Sequence, residues 1–216
     1  MPDLSREQQR WDLGDSIVVG VDEAGRGPLA GPVSAGAVML PRDFSHDLLN
    51  DSKKLSEKRR EALFEELTQD PQICWGLSLV ESEEVDELNV LRATHAGMAR
   101  AVKQVEQKLG KIDHCLIDGL PVPNFPYSSE GIVKGDALSL SISAASIIAK
   151  VARDRKMLEY AEIYPEYGFE KHKGYGTKAH LEALEKHGPT PIHRRSFSPV
   201  ARFFDEDPNA FRLVGE

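Results

Sequence analysis

Two apolar runs, joined by a segment that cannot be helical, constrain this chain more than any other feature. Residues 16–23 end in Val18-Val19-Gly20-Val21-Asp22-Glu23, and Val33–Leu40 is the next run. Between them lie about ten residues that include Gly25, Gly27, Pro28, Gly31 and Pro32. A parallel pair needs a crossover of a dozen residues or more, usually a helix, so these two strands are expected to be antiparallel. After this pair the pattern alternates. Glu57 to about Thr68 is helix-patterned behind Ser56 as N-cap, and Ile73–Val80 reads as a strand. Ser82 is expected to cap a helix that breaks near Asn89 and stops at Gly110. Asp113–Asp118 and Gly131–Lys134 read as strands, while Pro121, Pro123 and Pro126 bar regular structure between them. Ser141 to about Tyr160 reads as a helix rich in small residues, Thr177 caps another that ends at Gly188, and Pro199 opens a short last one. The expected class is α/β: a mixed sheet with antiparallel first strands, flanked by helices, with a C-terminal helical portion.

Three of the apolar segments finish in an acid beside glycine. The first carries Asp22-Glu23 into Gly25-Arg26-Gly27, the second is Cys115-Leu116-Ile117-Asp118-Gly119, and the third is Ile132-Val133-Lys134-Gly135-Asp136. A lone Asp-Glu after a strand is more often a solvated turn, and Asp136 alone would pass as an acid at a helix start. Side chains alternate along a regular strand, so only one of Asp22 and Glu23 points inward unless the strand bends. If the three segments lie side by side, four carboxylates gather at one edge. Such a cluster repels itself when empty and is the oxygen-rich setting that Mg²⁺ or Mn²⁺ prefers.

Six motifs in order make the chain resemble the type 2 ribonuclease H family, bacterial ribonuclease HII, over roughly residues 16–203. They are Asp22-Glu23-Ala24-Gly25-Arg26-Gly27, Asp51-Ser52-Lys53-Lys54-Leu55-Ser56, Lys134-Gly135-Asp136, Ser143–Val151, His172-Lys173-Gly174-Tyr175 and His193-Arg194-Arg195-Ser196-Phe197. The resemblance implies a ribonuclease H-like fold, with Asp22, Glu23, Asp118 and Asp136 as catalytic acids holding two Mg²⁺ or Mn²⁺ ions. Two such ions roughly 3.5–4 Å apart activate the attacking water and stabilise the leaving oxygen of a phosphodiester. It also implies an endonuclease acting on RNA–DNA hybrids and on DNA duplexes containing ribonucleotides. The cut falls 5′ of the ribonucleotide and leaves 5′-phosphate and 3′-hydroxyl ends, with water rather than the 2′-hydroxyl as nucleophile. In the family, Gly25-Arg26-Gly27 and Tyr175 together read the RNA–DNA junction. The residue types suit that role: glycine lets backbone approach a sugar, and tyrosine offers a stacking ring and a hydroxyl. On spacing alone, a hairpin turn and a surface aromatic remain equally open. Leu120 stands where many members have Asn, Ser143-Ala144-Ala145 replaces a more common alanine run, and the loop from Pro121 to Gly131 is individual to this chain.

Lys53, Lys54, Lys150, Arg153, Arg155, Lys173, Arg194 and Arg195 are candidates for phosphate contacts, of which about half are expected to touch nucleic acid. His172 fits either a phosphate or acid contact or a structural hydrogen bond, and Arg194-Arg195 either phosphate or an anchor for the last helix. The net charge of −8 lowers non-specific affinity for nucleic acid. It is unevenly spread, however. Lys150 to Arg202 holds 11 Lys and Arg against 7 Asp and Glu, a local +4 that leaves −12 for the remainder. Residues 1–15 read as an N-terminal extension, 16–204 as the catalytic domain with its C-terminal helices, and 205–216 as a flexible tail. The polar N-terminus and the lack of an apolar run near the ~20 residues of a membrane span fit a cytoplasmic location, and a monomer is expected. Cys74 and Cys115, both in apolar runs, are expected to be reduced.

Two other classes fit less well. Gly25-Arg26-Gly27-Pro28-Leu29-Ala30 matches a dinucleotide-binding fingerprint with Asp43 as ribose acid, but Asp22 and Glu23 would face the pyrophosphate and Pro32 leaves no room for the helix. A binding module that had lost catalysis would be expected to lack acids, and all four are present.

Overall fold

The computed structural model describes residues 2–46, 49 and 55–205. Lys53 and Lys54, with the 206–216 tail, lie outside the described residues. In chain order the elements are α1 (Ser5–Asp12), β1 (Val18–Ala24), β2 (Val33–Met39), α2 (Glu57–Gln69), β3 (Cys74–Val80), α3 (Ser82–Leu88) and α4 (Val90–Leu109). Then follow β4 (His114–Asp118), β5 (Ser129–Ile132), a 3₁₀ turn (Gly135–Ala137), α5 (Leu140–Ile163), α6 (Phe169–His172), α7 (Lys178–His187) and α8 (Ser198–Asp205). The chain forms two compact units. The first comprises residues up to Ala24, Ser34–Leu79 and Thr94–Ala152; the second comprises Gly25–Val33, Val80–Ala93 and the chain from Arg153 onward.

The first unit is a sheet with strand order β3-β2-β1-β4-β5. β1 pairs antiparallel with β2, as the short connection requires, and parallel with β4, which in turn pairs parallel with β5. Alternation along β1 and β4 sorts their side chains. Val19, Val21, Cys115 and Ile117 pack with Met98, Ala101, Val102 and Val105 of α4. Val18 and Leu116 pack on the other face with Ile142 of α5 and Trp11 of α1.

On that second face α5 lies unusually close to the sheet. A Cβ on Gly20 would come within 2.1 Å of the Ser141 backbone, and one on Gly36 within 2.4 Å of the Ala145 carbonyl oxygen. The small residues of α5 therefore meet glycines on the sheet with no side chain between them. Beside this contact, Ile147, Ile148 and Val151 join Leu63, Phe64 and Leu67 of α2 in the largest apolar cluster.

In the second unit, Ala30, Met157, Tyr167, Phe169 and Ile192 form one cluster. Val33, Val80, Val85 and Ala93 form another, and Leu29, Leu184 and Val200 a third.

Several local expectations change. The extension 1–15 contains α1, whose Glu7 and Trp11 are buried. The fifth strand is Ser129–Ile132 rather than Gly131–Lys134. Ser82 does not cap α3: Glu81 holds that position, and the Ser82 hydroxyl donates to the Pro191 carbonyl. The break at Asn89 is real, with φ 66°, and its side-chain oxygen accepts from the Leu91 and Arg92 amides to start α4. Asp205, expected to begin the tail, ends α8.

Candidate active site

The first unit carries the four acids. β1 and β4 run parallel with Val21 beside Ile117, so one further step puts Asp22 beside Asp118 on the α5 face of the sheet. β4 pairs with β5 through Asp118 and Ile132, and the chain then turns back: the Gly135 amide donates to Asp118 Oδ1 at 2.7 Å. That bond brings the 3₁₀ turn, and with it Asp136, to the same sheet end. Asp22 is only 5 % exposed and Asp136 4 %. Glu23 and Asp118 are half-buried.

Asp22 is the electrostatic centre of this group. Burial first, then the neighbouring Glu23 and Asp118 charges, push its carboxyl well above the usual carboxylate range. The Ser146 hydroxyl on α5 and the Glu23 amide, at 2.7 Å, donate to it and offset part of that cost.

Among the described residues no three His, Cys, Asp or Glu side chains form a ready-made metal shell. The donor chemistry nevertheless fits a hard divalent ion: the four side chains are all carboxyl groups, and a buried acid is held in reach of two like charges.

The second unit carries the glycine–arginine loop and Tyr175. Gly25 follows Ala24, the last residue of β1, at φ 88°. A Cβ there would stand 2.0 Å from the Arg153 guanidinium and 2.8 Å from the Pro32 oxygen, so only glycine fits. Two buried arginines hold this loop. Arg153, 0 % exposed, donates to the carbonyls of Pro32 (2.9 Å), Lys173 (3.0 Å) and Ala30 (3.2 Å). Arg194, also 0 % exposed, donates to Gly25 (2.6 Å), Arg26 (2.9 Å) and Gly31 (3.0 and 2.8 Å). Burial and the neighbouring Arg153 charge lower Arg194 to about 9. Backbone carbonyls thus replace the water that a surface arginine would keep.

Arg26 and Gly27 are exposed. Tyr175 is 45 % exposed, its ring edge 3.9 Å from the Cβ position of Gly27, and the Arg153 guanidinium lies 5.8 Å from its centroid.

The basic candidates divide. Arg153, expected at the surface against phosphate, is instead a buried strut of the loop, because its planar fork matches three converging carbonyls. Arg194 is likewise a strut, its guanidinium turned to the carbonyls of Gly25, Arg26 and Gly31. Lys173 reaches back to the Glu170 carbonyl at 2.6 Å. Both ring nitrogens of His172 face backbone: Nε2 the Tyr167 carbonyl and Nδ1 the Gly174 amide. Lys150 and Arg155 are half-buried, and Arg195 is exposed with its guanidinium over Phe204. Sequence reasoning missed Glu7, Arg153 and Arg194 as buried polar hubs. No local pattern marks them, since their partners lie far along the chain.

A family model for ribonuclease HII matches residues 19–200. The chain belongs to the ribonuclease HII family. It is 55 % identical over 198 residues to the ribonuclease HII of Endomicrobium trichonymphae, covering 91 % of this chain and 92 % of that one. It is 53 % identical over 190 residues to that of a Marinomonas species, covering 88 % and 94 %. Among solved structures, ribonuclease H2 from Pyrococcus horikoshii superposes with a TM-score of 0.66 at 26 % identity, over 88 % of this chain and 98 % of that one. Bst ribonuclease HIII, solved with Mn²⁺, superposes at 0.69 and 13 % identity, over 91 % and 71 %, which shows the shared fold. As a ribonuclease HII family member the chain is an endonuclease of the ribonuclease H type, a metal-dependent phosphodiester hydrolase acting on RNA–DNA hybrids. No helix among the described residues is long and apolar enough to cross a membrane.

Proposed function

We propose that this protein cuts the RNA strand of RNA–DNA hybrids and also cuts 5′ of single ribonucleotides embedded in DNA, leaving 5′-phosphate and 3′-hydroxyl ends. The observation that carries the catalytic half is that Asp22 and Asp118 each follow the Val21–Ile117 pair of two adjacent parallel strands and that the charges of Asp118 and Glu23 act on Asp22, with Asp136 brought to the same sheet end. Asp22, Glu23, Asp118 and Asp136 would hold two Mg²⁺ or Mn²⁺ ions. When bound, the metals supply Lewis-acid charge that favours a water nucleophile and stabilises the departing 3′ oxygen. The protein's own part is to fix the acids. Ser146 and the Glu23 amide orient Asp22, and the Gly135 amide orients Asp118. Rigid orientation of this kind keeps the ligands from splaying during the reaction.

Recognition falls to the second unit. The exposed Arg26 and Gly27 present backbone and charge to the sugar–phosphate chain, and the half-exposed Tyr175 ring is available to stack against a sugar or base at the junction. The 2′-hydroxyl, both donor and acceptor, is what distinguishes the ribonucleotide there. Removal of ribonucleotides from DNA is the role this reading implies.

The test is cleavage of a DNA duplex carrying one ribonucleotide, with Mg²⁺, Mn²⁺ or chelator, and mapping of the cut. A metal-dependent cut immediately 5′ of the ribonucleotide is expected. Cleavage of long hybrid only would keep the acids and withdraw the junction role of Gly25–Gly27 and Tyr175.

A further inference from the structure

Two histidines of the second unit, His193 and His180, form a bonded chain that ends on the backbone of Tyr175, and a third, His172, stacks on it. The Thr190 amide donates to His193 Nδ1 at 3.0 Å, with the Thr190 hydroxyl 2.8 Å from the same atom. His193 Nε2 and His180 Nε2 are 3.0 Å apart, and His180 Nδ1 is 3.0 Å from the Tyr175 carbonyl oxygen. His172 stacks on His180, with centroids 4.6 Å apart and planes 13° from parallel. It takes the Gly174 amide on Nδ1 (3.3 Å) and faces the Tyr167 carbonyl with Nε2 (2.9 Å).

These contacts allow only one set of tautomers. An amide can only donate, so His193 Nδ1 must accept and its proton sits on Nε2. That proton points at His180 Nε2, which must therefore accept, leaving the His180 proton on Nδ1, where it donates to Tyr175. By the same logic His172 carries its proton on Nε2. Adding a proton to His180 or His193 sets two donors face to face, so this arrangement holds both rings neutral. Burial, the first cause in each case, lowers His180 to about 4 and His193 to about 3, in keeping with that arrangement.

We propose that His180 is a positioning residue for substrate recognition: through His193 and its own Nδ1 proton it fixes the peptide that carries the Tyr175 ring. The Tyr175 carbonyl is held by His180 and by the Thr177 amide (2.8 Å), and its amide by the His172 carbonyl (2.9 Å). The exposed ring thus projects from a peptide held at both ends. The proposal rests on reading Tyr175 as the junction-contacting residue.

Two measurements test it. Long-range ¹H–¹⁵N spectra of the intact, ¹⁵N-histidine-labelled protein should show His180 as the Nδ1–H tautomer and His172 and His193 as Nε2–H; His180 found as Nε2–H overturns the relay. The second measurement is the ratio of kcat/KM for a single embedded ribonucleotide to that for a long hybrid. His180→Gln, which loses the donor at the Nδ1 position, should lower that ratio about tenfold, chiefly through KM, the scale of one buried hydrogen bond. His180→Asn, which keeps a donor there, should stay within about threefold of wild type. Equal effects of Asn and Gln, or none from Gln while Tyr175→Ala still lowers the ratio, remove His180 from positioning and leave Tyr175 in place. An unchanged ratio in Tyr175→Ala removes the junction reading itself, and the proposal with it. Should a His180 variant fail to fold, the tautomers in the wild-type protein decide.

Discussion

Glu7 shows how much a single buried side chain can organise. Its Oε1 accepts from the Ser139 hydroxyl (2.6 Å), the Ser141 hydroxyl (2.5 Å) and the Ser141 amide (3.0 Å), so a carboxylate from α1 caps the start of α5. The negative charge meets the positive end of a 24-residue helix. Glu7→Ala strands those donors in a buried place and is expected to cost about 2–3 kcal/mol, read from urea unfolding. Asp118 tests the chemistry rather than the fold. Asp118→Asn keeps the acceptor for the Gly135 amide and removes one ligand charge, so turnover should vanish while hybrid binding in the presence of metal persists. Activity near wild type in that variant would take Asp118 out of the ligand set.

At the scale of elements, the contact of α5 with β1 and β2 sets the geometry of the acids, because Ser146 on that helix reaches Asp22. Gly36→Val places a side chain where the Ala145 carbonyl already stands, and the helix must lift. A loss of about 3 kcal/mol or more is expected, together with a weaker metal affinity that calorimetry with Mn²⁺ would register. The glycine–arginine loop depends on a different device. Arg194→Lys keeps the charge but cannot reach Gly25, Arg26 and Gly31 together. The fold should survive with lower stability, and cleavage at a single ribonucleotide should fall more than cleavage of long hybrid. Similar losses on both substrates would separate the loop from junction recognition.

The whole molecule combines two opposite pH dependences. In the unfolded chain an imidazole titrates near 6.5. With His180 lowered to about 4 and His193 to about 3, the folded state refuses protons that the unfolded state binds. Their contribution is complete above about pH 6.5 and is lost as pH falls toward about 3. Asp22 works the other way: its raised titration means stability is lost as pH rises through it. A divalent ion at the acids relieves that second loss. Mn²⁺ or Mg²⁺ should therefore raise the unfolding free energy by about 2–3 kcal/mol at a hundredfold excess over Kd. The gain should shrink in acid and in Asp118→Asn, and a thermal-shift series across pH with and without chelator would measure it.

The sequence by itself determined the strands that carry Asp22 and Asp118, the antiparallel start, the caps at Ser56 and Thr177 and the break at Asn89, whereas the bounds of the fifth strand and the 3₁₀ turn that holds Asp136 came from the fold. Each of the former is written within a few residues, as periodicity, a capping oxygen or a glycine. It also carried the family, because ordered motifs survive in sequence as they stand. Only the tertiary structure decided which polar residues became internal. Arg153 and Arg194 look like surface cations until carbonyls more than a hundred residues away along the chain close around them. Glu7 looks like part of a polar extension until α1 packs against the start of α5. His180 and His193 differ from other histidines only in what faces their nitrogens. Burying a polar group is tolerable only where partners converge on it, and convergence is a property of the folded chain.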